Sequence, residues 1–335
     1  GNDTIDGGAE IDVIYGGDGD DILKDNGDNT IYGEGGNDTI GSATTEYSAK
    51  HKTGGRTQGL KVYGGDGDDT ITSPFFEIVD AGSGDDVVTL GFGNAQYLTS
   101  LSGGEGYDKL IDGVYGNGAS SFDWSKVTGF EEISWGLGYY HRDTFTNNVG
   151  QAGTTLKLTN IGSGEWDFSA ETDATLEILG VNRSDYANTT FTGGSLADTF
   201  TFYGGNQDLR GGGGNDSINA GGGDDTITGG AGNDTIDGGE GTDIAIFSGN
   251  QGDYTITSTA YAQYQVLDTR GIDGTDTVKN IITLRFADGD LDITPSGLNL
   301  SGTSSADTLT GDIGDDLIKG LGGDDTLSGS SGDDE

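Results

Sequence analysis

The sequence predicts an all-β protein: a parallel β-roll or β-solenoid built from nonapeptide repeats, with a small antiparallel β-hairpin insert. Three observations predict it. Residues 211–246 read GGGGNDSIN AGGGDDTIT GGAGNDTID GGEGTDIAI, four successive nine-residue units patterned glycine-glycine-x-glycine-x-aspartate-x-apolar-x. Glycine supplies 66 of the 335 residues and proline only 2, and helical periodicity is scarce throughout. The 57 acidic residues outnumber the 15 basic ones, for a net charge of −42, yet the aspartates stand in register instead of being scattered.

Each slot of the unit has a physical role. The glycines permit positive φ and close backbone approach, so the first six residues make a tight turn whose carbonyls point inward. The x-apolar-x triplet is a very short strand with one side chain directed into a narrow core. Ile218, Ile227, Ile236 and Ala245 fill that eighth slot, and Asp216, Asp225, Asp234 and Asp243 fill the sixth. A carboxylate arriving in a turn crowded with carbonyl oxygens suits a hard cation, and calcium best of all. One buried isoleucine per unit and a few ladder hydrogen bonds fall short of the entropy of ordering nine residues. Stacked aspartates also repel one another. A divalent ion held between successive turns reverses that repulsion and couples folding to binding, so the metal is structural.

The predicted ligands of these multiple structural Ca2+ ions are Asp3, Asp12, Asp21, Asp38, Asp69, Asp86, Asp108, Asp198, Asp216, Asp225, Asp234, Asp243, Asp307, Asp316, Asp325 and Asp334. The backbone carbonyls of Gly16, Gly64, Gly211, Gly213, Gly229, Gly238 and Gly320 complete the set. The pattern resembles the RTX (repeats-in-toxin) family. That resemblance implies that two nonapeptides make one turn of a parallel β-roll, with calcium in the glycine–aspartate turns of both edges. It also implies export by type I secretion through a C-terminal signal, which this stretch lacks.

Composition narrows the function. So acidic a chain is ill suited to nucleic acid or an anionic membrane surface. With no cysteine there is no disulfide, thiolate catalysis or cysteine metal site, so in an extracellular protein calcium does the stapling. No apolar run is long enough to span a bilayer, and no signal peptide is visible. High charge with low hydrophobicity reads as an array disordered without calcium and folded with it. The sequence opens inside one unit and closes inside another, so it is expected to be an excerpt of a longer polypeptide.

In chain order, residues 1–41 form the first β-roll, with a shortened unit in which Asp28 and Asn29 stand near the sixth slot and weaker metal sites are expected. Residues 42–61 break the register as a basic loop carrying Lys50, His51, Lys52, Arg56 and Lys61, either a solvated bulge or a contact for an acidic neighbour. Residues 62–111 are an irregular β-roll. Residues 112–192 lose the nonapeptide but keep short alternating apolar runs, as expected of wider solenoid rungs with fewer ions. Trp124, Trp135, Trp166, Tyr139, Tyr140 and His141 lie there. Two readings stay open for these aromatics, a wider core or an exposed strip for glycan or a partner subunit. Residues 193–246 restart the roll, 247–300 read as an antiparallel β insert turning at Gly271–Gly274, and 301–335 are a truncated roll.

No catalytic constellation emerges. His51 and His141 have no nucleophile elbow beside them, the zinc-protease helix signature is absent, and the glycine runs lack the lysine of a phosphate loop. The chain is expected not to be an enzyme. The leading expectation is a calcium-dependent structural or adhesive segment of a secreted bacterial cell-surface protein, of S-layer or adhesin type. Its partners would be calcium ions, with copies of itself or a surface glycan as further candidates. The alternatives are a C-terminal calcium-folding export module of a secreted enzyme or toxin, and a glycan-binding module in residues 112–192.

Overall fold

The computed structural model describes residues 1–8, 11–25, 29–42, 60–73, 76–90, 98–112, 124–135, 141–145, 149, 152–161, 164–180, 189–260, 262–293, 299–310 and 317–328. The chain winds into a parallel β-solenoid of about 12 turns. One face is a 15-stranded sheet, and the other is made of a six-stranded and an eight-stranded sheet. In the regular segments successive rungs on a face are two nonapeptides apart: Ser217 pairs with Thr235, and Asp208 with Thr226, in parallel. Longer rungs absorb insertions without loss of register, as where Thr39 pairs with Thr70 and Val87 with Lys109.

Local sequence explains the winding. Strands such as Thr235–Asp237 and Ser217–Asn219 bury only their middle residue, here Ile236 and Ile218. Their outward threonines and serines line the solvent side, as expected of residues suited to a half-buried pleat. Glycine follows strands such as Thr235–Asp237 and lies inside others such as Thr226–Ala231. Gly230 and Gly232 adopt φ of 112° and 138°, and a Cβ on either would run into the carbonyl of Gly212 or Gly214 one rung away. No side chain fits where rungs approach so closely.

The core of inward side chains is mostly aliphatic at its start, aromatic in the middle, and closed at the hairpin by Phe247, Tyr254 and Phe286. Ile14, Leu23, Ile31, Ile40, Val62 and Ile71 give way to Trp124, Trp135, Phe145, Trp166, Phe168 and Phe191. Phe145 and Phe168 stack with centroids 3.7 Å apart, and Trp135 meets Trp166 edge-on at 4.7 Å. Trp124, Trp135 and Trp166 are no more than 2% exposed. Of the two readings of the aromatic region, the tryptophans therefore take the first: they fill a wider core. Tyr139 and Tyr140 lie outside the described residues, as does the side chain of His141.

The antiparallel insert is a hairpin of Tyr254–Ala260 and Gln263–Asp268. Its second strand pairs antiparallel with Thr275–Lys279, which in turn pairs parallel with Thr235–Asp237. Thr283–Phe286 likewise returns to the opposite face beside Ile244–Ile246, and Gly289–Asp292 closes that sheet antiparallel. The hairpin is thus threaded into a rung and ends the 15-stranded sheet. Beyond it, Asn299–Ser301 pairs with Leu317–Lys319, and Thr308–Thr310 with Thr326–Ser328. Lys50, His51, Lys52 and Arg56 of the basic loop lie outside the described residues; Lys61 sits in a strand, 3.8 Å from Glu77. Among the described residues no helix is long and apolar enough to cross a membrane.

Candidate metal centres

Each turn delivers its sixth-slot aspartate to the start of a strand, and the rung before it anchors one carboxylate oxygen. The amide of Asp198 donates to Oδ1 of Asp216 at 2.8 Å, and that of Asp216 to Oδ1 of Asp234 at 2.8 Å. The same contact joins Asp21 to Asp38, Asp38 to Asp69, Asp69 to Asp86 and Asp86 to Asp108, at 2.7–2.9 Å. Asp3 begins this series by donating to Asp21 at 2.6 Å.

The second oxygen is left over. Oδ2 of Asp12, Asp21, Asp38, Asp69, Asp86, Asp108, Asp216, Asp225, Asp234 and Asp243 is buried with no hydrogen-bond partner. An unpaired buried carboxylate oxygen is costly, and so regular a series of them calls for a common partner. The space around Oδ2 is lined by main-chain oxygen. A Cβ placed on Gly33 would meet both Asp38 Oδ2 and the Gly64 carbonyl, and one on Gly211 would meet Asp216 Oδ2 and the Gly229 carbonyl. Asp198 Oδ2 and Asp307 Oδ2 differ in already accepting hydrogen bonds, from the Gly194 amide at 2.9 Å and from the Thr303 amide at 2.6 Å, although the Gly211 and Gly320 carbonyls stand close by.

Of the other predicted carbonyl positions, Gly16 stands against Asp21 Oδ2 and the Gly33 carbonyl, and Gly238 against Asp243 Oδ2 and the Asn280 carbonyl. Gly213 has only ordinary contacts with Ser195. Among the described residues no group of three or more histidine, cysteine or acidic side chains gathers to hold a metal. A cation here would draw on carbonyls as much as on carboxylates. Anionic and neutral oxygens in small backbone-walled spaces are what calcium accepts, so the residues fit the ion.

Burial shapes the electrostatics of these turns. It drives Asp69, Asp108, Asp216 and Asp225 up to about 7, and Asp86, Asp198 and Asp243 up to about 6. The amide bonded to Oδ1 opposes the rise, while acidic neighbours such as Asp38 and Asp86 around Asp69 add to it. Asp38 and Asp234 are raised by burial as well.

The two edges of the solenoid differ. Asp3, Asp21, Asp38, Asp69, Asp86, Asp108, Asp198, Asp216 and Asp234 all precede strands of the 15-stranded face. Asp12, Asp225 and Asp243 precede strands of the other face, where the amides of Asp12 and Gln207 donate to Asn29 at 2.5 Å and Asp225 at 2.7 Å. Asn29, not an acid, therefore fills the sixth slot of the shortened unit; Asp28 lies outside the described residues. Asp307 donates to Asp325 at 3.0 Å in the last segment, and Asp316 and Asp334 lie outside the described residues.

The aspartate register missed three contributors. Glu131 continues the first edge by accepting the Asp108 amide at 2.8 Å, and its Oε1 is orphaned like the aspartates' Oδ2. Asp276 accepts the Asp234 amide at 2.8 Å and is pushed by burial up to about 8. Its segment GIDGTDTVK, residues 271–279, is a nonapeptide with one glycine replaced by Ile272, a signal present in the sequence. An outer ladder runs beside the first: Asn215, Asn233, Asp20 and Asp68 in the fifth slot each accept the amide of the next rung's fifth residue at 2.8–3.0 Å. The recurrent Asn-Asp and Asp-Asp pairs were the signal for it.

The family model for the RTX calcium-binding nonapeptide repeat, in four copies, matches residues 1–24, 25–42, 61–73, 77–96, 210–245 and 301–335. No curated protein matches the chain significantly.

Proposed function

We propose, from the premise that this chain is built on RTX calcium-binding nonapeptide repeats, that it is a calcium-folded structural or adhesive segment of a secreted bacterial cell-surface protein. The observation that supports this most is the first edge, where orphaned carboxylate oxygens recur from rung to rung. A linear series of ions along a solenoid stiffens a long rod, which suits a load-carrying or spacing element better than a binding cleft. The ligands would be the sixth-slot aspartates with Glu131 and Asp276, and the carbonyls of Gly64, Gly211, Gly229 and Gly320. The bound ion supplies positive charge between rungs. The chain's own residues fix one carboxylate oxygen by an amide and leave the other facing main-chain oxygen.

At submicromolar calcium the buried acids oppose folding, and at millimolar calcium the rungs close. Extracellular calcium modules bind with dissociation constants of about 10⁻⁴–10⁻³ M, so the environment outside the cell is the trigger. The tryptophans cited for the glycan-binding reading of residues 112–192 are core residues, so that reading now rests on Tyr139, Tyr140 and His141, which lie outside the described residues or have undescribed side chains.

The test is calcium titration followed by circular dichroism, with electron microscopy of the longer protein at the endpoint. Calcium-dependent folding with ordered sheets or filaments supports the surface reading. Calcium-dependent folding to monomers, with a hydrolase or pore-forming domain alongside, replaces it with an export module. Folding indifferent to EGTA removes both.

A further inference from the structure

A carboxylate pair lies outside every nonapeptide and every matched segment: Glu171 and Asp173, in the turn between Gly164–Asp167 and Thr175–Gly180. Glu171 is fully buried. Its Oε1 accepts the amides of Thr172, Asp173 and Ala174 at 3.1, 3.2 and 3.1 Å. Three bonds to one oxygen fold the turn around the carboxylate and fix where its other oxygen stands. That oxygen, Oε2, is buried and has no hydrogen-bond partner, and neither has the buried Oδ1 of Asp173. The Asp173 amide bonded to Glu171 Oε1 holds the two carboxyl groups in one tight turn.

Ionised carboxylates only accept, so neither can satisfy the other. Among the described residues no lysine or arginine pairs with either group. Something positive must stand between them. A shared proton would leave one net negative charge buried without a counter-charge, whereas a divalent cation neutralises both groups and takes oxygen ligands. The turn also lies on the first edge, between the rungs of Glu131 and Asp198, and Ser195 donates to the Glu171 carbonyl at 3.0 Å. A Cβ on Gly194 would stand 2.7 Å from that carbonyl oxygen, so the neighbouring rung presses close to the site.

We propose that Glu171 and Asp173 form a calcium site of their own, held by Glu171 Oε2 and Asp173 Oδ1, which carries the first-edge series of ions across the aromatic region without a nonapeptide. The site is independent of the repeats in sequence and uses a glutamate whose backbone turn is wrapped on its own side chain.

Wild-type protein crystallised with calcium as the sole divalent cation, with data collected at long wavelength, tests this directly. An anomalous peak is expected between the two oxygens at about 2.3–2.6 Å from each. A bare carboxyl pair, in crystals whose Asp216–Asp234 turns hold calcium, overturns the proposal and leaves the repeat sites untouched. In solution, Glu171→Gln and Asp173→Asn should each lower bound calcium by one ion per chain in equilibrium dialysis, with an unchanged circular dichroism spectrum. An unchanged count with a raised melting temperature identifies a shared proton and overturns it. If Glu171→Gln does not fold in millimolar calcium, the half-buried Asp173→Asn carries the count.

Discussion

The amide of Asp234 donates to Oδ1 of Asp276 at 2.8 Å, although 42 residues separate them. In the regular rungs the same bond spans 18 residues. The whole hairpin of Tyr254–Ala260 and Gln263–Asp268 lies in the chain between the turn of Asp234 and the turn of Asp276. Asp276→Ala is therefore expected to remove a buried acceptor from the Asp234 amide and a ligand from the last turn. Leaving the buried donor unpaired costs about 1–3 kcal/mol. The calcium midpoint of folding, followed by circular dichroism, should rise as much as for Asp225→Ala. Asp290→Ala, at an exposed pair with Arg285, should leave it unmoved. A silent Asp276→Ala would show that the hairpin rung holds no ion.

Acid and calcium should substitute for one another in folding. The metal-free folded state holds Asp69, Asp108, Asp216 and Asp225 at about 7, against about 3.9 in the unfolded chain. Because the folded values are raised, this group's contribution is fully favourable below about pH 4 and is lost as pH climbs through 7. Without calcium the fold is thus expected to weaken between pH 4 and 7. Above about pH 5 the unfolded and calcium-bound chains both carry these groups ionised, so protons favour only the calcium-free fold, and the calcium midpoint of folding should rise as pH climbs from 5.5 to about 7 and then level off. Calcium titrations at several pH values check this; a midpoint independent of pH contradicts it.

Glycine substitutions should separate slots that look alike in sequence. At Gly232, φ is 138° and a Cβ would strike the Gly214 carbonyl. Gly232→Ala should cost about 2–5 kcal/mol, combining a left-handed backbone penalty of about 1–2 with overpacking of about 1–3. At Gly213 the nearest atom to a Cβ is 3.5 Å away, and Gly213→Ala should shift the melting temperature little. Thermal melts in saturating calcium compare the two.

The aromatic file should behave as core. Phe168→Ala removes a ring stacked on Phe145 and Phe191 and should destabilise by about 3–5 kcal/mol. Trp166→Ala should lower the melting temperature likewise. On a glycan array neither change should abolish binding selectively, apart from its effect on folding; selective loss in a fully folded variant would restore the exposed-strip reading.

What was legible in the sequence was the slot, and what was not was the neighbour. Asp216 and Asp234 read identically to Asp225 and Asp243, but a nine-residue unit is half a turn, so alternate units fall on opposite edges. The edge asymmetry depends on where insertions fall, which periodicity does not record. Asp276 was hidden because a long insert precedes it and Ile272 stands where a glycine is expected. Glu131 was hidden by one extra methylene. The tryptophans could not be placed, because alternation with period two states that a strand has two sides without saying which is inside.

The unequal edges set what this rod can become. Ser42 and Leu60, Leu90 and Ser100, and Gly180 and Thr189 flank connections that leave the 15-stranded face for the other. Lengthening any of these leaves the amide-to-carboxylate series from Asp21 to Asp108 in step. One margin works as a keel whose rungs are pinned to each other. The opposite margin can acquire new chain, and so new surfaces, while the keel stays the same.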